Sequence, residues 1–541
     1  MAPGLYFETV DFGGKAIRVT SRDGAESTVL DGRGALDELV RFTSGEGRGS
    51  VLEGFTIRDA HHSGVVCEDS SPTILANVIE GSDSTGGVHC LRSSPRIHDN
   101  TIRSNFGGGI VLEGSPALIT SNRIVGNASY GAGGLSQRAG SDAIIRDNEI
   151  LENTAATDEH GYFAGTGGLS CSSSSPRIER NLFARNASLA FVSTRGGALF
   201  LESGAPRVIG NRFLENRANR GAGLRCHALG AVIEGNTIRE NVAEISGGGI
   251  WCSAGTFVNN MIFGNVAGQG VGEAGLGGGA FVSGPALFLN CTLAANASQL
   301  STGTSGVHFA DSRAQLVNTI VFGNFPGPDI GLERGSPSIR YCDIEGGWPG
   351  EGNIDADPRF QGPGKGNFRL DCASPCAEAG TNEPGWPLPR LDHEGRDLRR
   401  IGVVDIGADE IGARWRLTGQ ARPGAEVRFT ATSGPGQWHH LSEVYLSLGE
   451  GPEGGLPVPG ADGRTIGLDM DLGFRLWLGG PPSLRRLHLR GCSGVSTEPW
   501  RIPTRMPVGT TISFAGVSWD VPLSTTGPVS TVTETRSFVI E

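Results

Sequence analysis

The chain has 541 residues, a net charge of −12 and 86 glycines, roughly double the usual glycine share. Only Lys15 and Lys365 are lysines and no basic block occurs, which argues against a nucleic-acid partner. No apolar run reaches the roughly 18 residues of a membrane span, and the glycines follow no Gly-X-Y period, so neither a membrane span nor collagen is indicated.

The chain opens on APGLYFETVDFGGKAI, which reads as strand and turn from its first residues. No signal peptide stands there. The expectation is that the natural start lies upstream, with a secretion signal and an N-terminal cap in the missing piece.

From about residue 52 to 347 a pattern recurs, and residues 107–127, GGGIVLEGSPALITSNRIVGN, hold one full copy. A glycine run precedes a short alternating apolar run. A Ser-Pro-type turn follows, then a second apolar run ending in Asn, and another Asn five residues later. The reference Asn occupies positions 77, 100, 122, 148, 181, 211, 236 and 260, with Phe55 before them and Cys291, Thr319 and Cys342 after. Successive copies lie 22 to 33 residues apart, twelve in all. Three residues before this column, and two after it, every side chain is apolar, Ile119 and Ile124 in the copy above. Mixed residues flank these columns, as strands with one buried face require. Asn recurs five positions past the reference in nine copies, from Asn105 to Asn324. In-register Asn can form amide ladders and tolerates left-handed corners.

A period this short, with several β runs and no helical period, predicts a parallel β-solenoid in which each turn buries its inner face on its neighbours. Twelve layers at about 4.8 Å give roughly 55–60 Å. After the glycines, the strand predicts an inward pair such as Ile110 and Leu112, or Ala198 and Phe200. Its outward column runs Val66, His89, Val111, Ser136, Ser170, Leu199, Arg225, Trp251, Phe281 and His308.

The motif GGGI…P.I..N.I..N resembles the right-handed parallel β-helix repeat of the pectin-lyase-like superfamily. Right-handedness is what that resemblance implies. The segment 339–410, IRYCDIEGGWPGEGNIDADPRF…DIGADE, resembles the end module of secreted bacterial β-helix proteins, the choice-of-anchor Q region. The resemblance implies an extracellular or cell-surface, bacterial protein.

Past residue 412 the repeat stops. Alternating runs such as VRFTAT, VYLSLG and TISFAGVSWDV, parted by Gly and Pro turns, predict an antiparallel β-sandwich. The expected organisation is a β-helix over 1–347, an end module over 348–413 and a sandwich over 414–541. Binding polymer, attaching to a surface or capping the open solenoid end is the role expected of the tail.

Few groups carry chemistry. Opposite charges share columns on adjacent turns: Glu80 with Arg103, Arg123 with Glu149, Arg146 with Glu179, Asp147 with Arg180. Such pairs are ordinary cross-strand contacts, and they use up carboxylates a glycosidase would need. Cys67 and Cys90, and Cys226 and Cys252, are expected as buried free thiols, while Cys372 and Cys376 leave a local disulfide open. The sequons at Asn127, Asn186 and Asn296 belong to the ladder. Carboxylates over 343–410 suit calcium, but no calcium motif accompanies them, and no cofactor or metal is expected.

Excess length gathers at one corner, in the insertions 154–166, 187–195 and 266–276. Insertions on one edge of a solenoid often wall a binding face. The first carries Asp158, Glu159, His160 and Tyr162. Asp158, His160 and Arg225 are the catalytic candidates; Tyr162, Trp251, Phe281 and His308 are the substrate-binding ones, the aromatics by packing on sugar rings. Two functions are expected: a secreted, non-catalytic structural, adhesive or glycan-binding protein, a monomer, or a polysaccharide lyase, hydrolase or epimerase working in a groove along the rod. A lyase needs an Arg, Lys, His or Tyr base beside a charge-neutralising group, and no compact motif of that kind occurs.

Overall fold

The repeat strands are short because a corner interrupts each one. Leu118–Thr120 and Arg123–Val125 are three residues long, with the central Ile119 and Ile124 buried and the flanks outside. In the computed structural model these strands stack coil upon coil. The structure describes residues 1–33, 36–157, 163–188, 193–270, 275–371, 373–395 and 403–411, and by backbone alone the strands between 414 and 539. Among these, three long parallel sheets form. The first has fourteen strands, Gly4–Tyr6 to Asp343–Ile344; the second has thirteen, Val10–Asp11 to Ile330–Gly335; the third has thirteen, Arg18–Thr20 to Ser338–Arg340. A fourth, of seven two- to five-residue strands, runs from Ala128–Ser129 to Ala297–Ser298 along the corner after the second Asn column. The fold is an all-β parallel helix of coils.

Inside, the apolar columns are shut from water, Ile119, Ile124, Ile145 and Ile150 at 0% exposure. Each such side chain contributes about 1.5–3 kcal/mol. Rings stack in register where the column turns aromatic: Phe183 on Phe213 at 4.9 Å, Phe257 on Phe288 at 4.6 Å.

Two asparagine ladders line the corners. Asn122 Oδ1 accepts the Asn100 backbone N–H at 3.0 Å and its side-chain amide at 3.1 Å, while Asn122 Nδ2 donates to Asn148 Oδ1 at 3.0 Å. The second ladder repeats this from Asn105 to Asn127 to Asn153. The buried N–H of each corner Asn from Asn77 to Asn236 thereby meets an acceptor from the next coil. At the far end Asn353 Oδ1 takes the Cys342 N–H and closes the first ladder. A third ladder of serines holds the Ser-Pro turn: each hydroxyl from Ser93 to Ser174 accepts the N–H of the serine one coil earlier. The left-handed residue at these corners is the one before the Asn, Asp147 at φ 58° and Arg180 at φ 51° for example. The ladder asparagines are therefore used for their amides and not for backbone freedom, whereas Asn259, Asn290 and Asn318 take the left-handed place itself.

The glycine run answers to the same ladder. A Cβ on Gly109 would stand 2.7 Å from the Gly134 carbonyl oxygen, 2.8 Å from Ile124 Cγ2 and 3.0 Å from Asn127 Nδ2. The ladder amide fills the space a side chain would take.

One expected register is corrected. Leu199 and Leu201 point inward at 0% exposure, and Phe200 lies on the outer face, opposite Ser170 and Arg225. Ala198 stands where the other copies carry the last glycine, as in Gly168–Leu169 and Gly223–Leu224, so the strand begins one residue later. A one-residue slip exchanges the two faces.

The stacked charges form as expected at Arg103–Glu80 (2.6 Å), Arg123–Glu149 (2.5 Å) and Arg180–Asp147 (2.8 Å). Glu179, in register with Arg146, instead pairs with Arg177 on its own strand. Cys67, Cys90, Cys171, Cys226, Cys252, Cys291 and Cys342 are buried, unbridged thiols. Cys372 lies outside the described residues.

The chain divides into two compact units. The first comprises Met1–Asp357, Glu383–Gly395 and Ile406–Asp409. Its last two pieces lie along the coils: His393 Nδ1 donates to the Asn259 carbonyl at 3.0 Å, and the Ala408 N–H to Thr292 Oγ1 at 3.0 Å. The second comprises Pro358–Asn382, Arg396–Asp405 and Glu410–Glu541. Its strands pair antiparallel, as Leu441–Leu448 does with Thr511–Trp519 and Arg414–Gly419 with Glu426–Thr432.

Candidate functional site

The second sheet turns its outer face through two chemistries. In the early coils His89 Nε2 lies 3.3 Å from Glu113 Oε1, and Arg138 also bonds Glu113, so charge is matched there. From Phe200 onward the column becomes aromatic and cationic. Phe200, Arg225, Trp251, Phe281 and His308 occupy one register position on five successive coils. The Arg225 guanidinium sits 4.8 Å from the Trp251 ring centre and 6.0 Å from that of Phe200. Trp251 and Phe281 are 5.7 Å apart at 12°, and Phe281 and His308 are 5.4 Å apart at 15°. Near-parallel rings at these distances cover one another's faces and turn their edges outward. Arg225, Trp251 and Phe281 are half-buried and His308 is 7% exposed.

His227, two residues along from Arg225, completes a relay. Arg225 Nε donates to His227 Nε2 at 3.2 Å, which leaves Nδ1 to carry the proton toward Ser253 Oγ at 2.8 Å. The His227 ring also lies 5.0 Å from Trp251 and 5.7 Å from Phe200. Burial, then the Arg225 charge, lowers the His227 pKa and holds the ring neutral. Burial, reinforced by the charges of Arg220 and Arg195, pushes the Arg225 guanidinium down to about 10. Arg195 in turn lies 5.9 Å from the Phe200 ring. Arg195 and Arg225 thus lie over one aromatic column, with Arg220 near enough for its charge to act on Arg225, in a chain that is acidic as a whole.

Of the residues singled out from the sequence, Arg225, Trp251, Phe281 and His308 come together here. Asp158, His160 and Tyr162 lie outside the described residues. Sequence reasoning missed Phe200, assigned to the wrong face, and His227, Arg195 and Arg220, which belong to no repeat column. The GGAL departure from GGL was the signal that would have restored Phe200.

Residues 44–188 match the family described as the right handed beta helix region, and the coils form a right-handed parallel β-helix. No curated protein matches the chain. Among solved structures the fold is similar to one titled "Crystal structure of pectate lyase Pel9A", at 13% identity and a TM-score of 0.37, over 76% of this chain and 96% of that one. No helix among the described residues is long and apolar enough to cross a membrane.

Proposed function

We propose that this is a secreted or cell-surface, non-catalytic β-helix protein that binds an acidic polysaccharide along the outer face of its second sheet. The observation that carries this is the seating of Arg195 and Arg225 on the Phe200–Trp251–Phe281–His308 column, with the charge of Arg220 beside them. Guanidinium groups match carboxylate and sulfate geometry, and those seated on rings are weakly hydrated and pre-oriented. Because the ring faces are taken up by one another, the aromatics act mainly by holding Arg225 and lining the site with apolar edges. Charge does the selecting. A linear anionic chain along the rod axis would cross several coils at once, and each added charge contact would raise the affinity.

One observation favours a second reading. A guanidinium lowered to about 10, hydrogen-bonded to a neutral histidine, is closer to proton abstraction than an ordinary arginine. In a β-eliminating lyase Arg225 would be that base. Affinity electrophoresis of the purified chain in gels containing polygalacturonate, a sulfated glycan or a neutral glucan tests both. Retardation in the anionic gels alone supports binding, and equal mobility in all gels overturns it. New unsaturated ends, read by ultraviolet absorbance, would establish the lyase instead.

A further inference from the structure

Far from that face, near the start of the coils, the chain brings together a second set of ligating groups. Asp37 stands one residue before the strand Glu38–Phe42; His61 and His62 precede the strand Ser63–Glu68, which pairs with it one coil on. Adjacent residues in a strand point to opposite faces. Here the chain is still in its corner, and the two imidazoles converge, ring centres 4.9 Å apart at 51°. His61 Nδ1 and His62 Nδ1 lie 3.6 and 3.8 Å from Asp37 Oδ1. One donor atom from each of the three residues lies within 4.8 Å of the other two.

The backbone fixes this arrangement. The His62 and Ser63 N–H groups both donate to the Asp37 carbonyl, at 2.8 and 3.2 Å, and the His61 N–H donates to the Leu36 carbonyl at 3.1 Å. The loop carrying the two histidines is tied to the residue that supplies the carboxylate. Donors held about 2.0–2.1 Å from a tetrahedral zinc are about 3.3 Å apart. The observed separations reach that value with small rotations of three side chains that solvent touches. Two imidazoles and one carboxylate on one side, with open positions on the other, is a donor set for a borderline first-row divalent cation and not for calcium, which prefers oxygen alone.

We propose that Asp37, His61 and His62 bind a divalent transition metal of the zinc type, with water in the remaining positions, and that the ion pins two successive coils at the corner before their second-sheet strands. This revises the sequence expectation of no metal. It does not depend on the glycan-binding proposal, since the two sites share no residue.

The test uses the full, untagged chain after treatment with chelator. Co²⁺ is the probe, followed by its visible ligand-field absorption, with Zn²⁺ titrated by calorimetry. The expected result is one equivalent bound. His61→Ala and His62→Ala should each weaken binding by at least about tenfold, the loss typical of even an outer-shell partner. His89→Ala and His98→Ala should leave it unchanged. Absence of stoichiometric binding at micromolar metal, or undiminished binding when both histidines are replaced, overturns the proposal and leaves an ordinary His–Asp ion pair. Should the variants fail to fold, the natural chain decides by acylation of histidine read by mass spectrometry. Zn²⁺ shielding His61 and His62 but not His98 supports the site; equal modification with and without zinc overturns it.

Discussion

Asp329 ends the second asparagine ladder. Its Oδ1 accepts the Asn324 backbone N–H at 3.1 Å and the Asn324 side-chain amide as well, the place every earlier coil gives to another Asn. Burial, outweighing these hydrogen bonds and assisted by the charge of Glu345, pushes the Asp329 carboxyl up to about 7. The folded protein therefore binds a proton there that the unfolded chain, near its ordinary value of about 3.9, gives up earlier. Between those values the folded state holds more protons, so stability falls as pH rises from about 4 to 7 and levels off above it. Asp329→Asn keeps the acceptor and removes the charge. Thermal unfolding of the variant should show a higher Tm at pH 8 and a flatter profile from pH 4 to 8. A profile unchanged from the natural chain would refute this.

Gln137 is the one amide in the inward column after the glycines. It lies between Leu112 and Cys171 at 1% exposure, and neither Nε2 nor Oε1 meets a protein partner. A buried amide without partners costs roughly 1–3 kcal/mol. Gln137→Leu, of similar volume, should raise the midpoint of urea unfolding without changing its slope, a gain of about 1–3 kcal/mol in unfolding free energy. A lower midpoint would show that the amide is satisfied in solution.

Asn181 bonds the coils on both sides. Its Oδ1 accepts from Asn148 N–H and amide at 2.9 Å each, and its Nδ2 donates to the Ile145 carbonyl at 2.9 Å and Asn211 Oδ1 at 3.0 Å. Asn181→Ala strands several buried groups and should cost about 3 kcal/mol. Asn181→Thr should cost less, because Thr319 fills the same column and its Oγ1 still takes the Cys291 N–H at 3.3 Å. Denaturant titration of the two variants checks the order.

On the outer face, Trp251→Ala removes the ring 4.8 Å from the Arg225 charge. Loss of a half-buried cation–π contact of about 0.5–2 kcal/mol predicts a several-fold weaker retention in anionic gels. Arg225→Lys keeps a charge but loses the planar fork, and should weaken retention as well. Neither change should alter mobility in neutral gels. Equal retention of both variants would move the binding face elsewhere.

The buried thiols supply a control on the core. Burial pushes Cys226, Cys291 and Cys342 up to about 12. As neutral thiols they should resist alkylation at pH 8 in the native protein and react on denaturation. Rapid native labelling at Cys226 would show that the coils open.

The coils were legible because their signals repeat. A column that is apolar in every copy, such as Ile119 to Ile145 to Ile178, survives any single ambiguous residue. The asparagine and charge ladders were legible for the same reason. The candidate face was legible only in part, since a site is by nature a departure from the repeat. Trp251 and Phe281 stood out within their column. Phe200 did not, because one alanine in place of a glycine shifted its strand. Arg195, Arg220 and His227 lie off the periodic positions, and only the path of the chain brings them beside Arg225. Asp37 meets His61 and His62 through a corner that no alternation of residues describes.

The three polar ladders all point one way: each coil receives its side-chain acceptors from the coil that follows. A coil such as residues 107–127 offers its predecessor the same groups that it requires of its successor. Hydrogen bonding therefore places no number on the stack, only a direction and a distinct last member, the place held by Asn353 and Asp329. Such a rod can gain or lose whole units from its interior while keeping its ends. The length of that outer face is then a quantity that duplication alone can adjust.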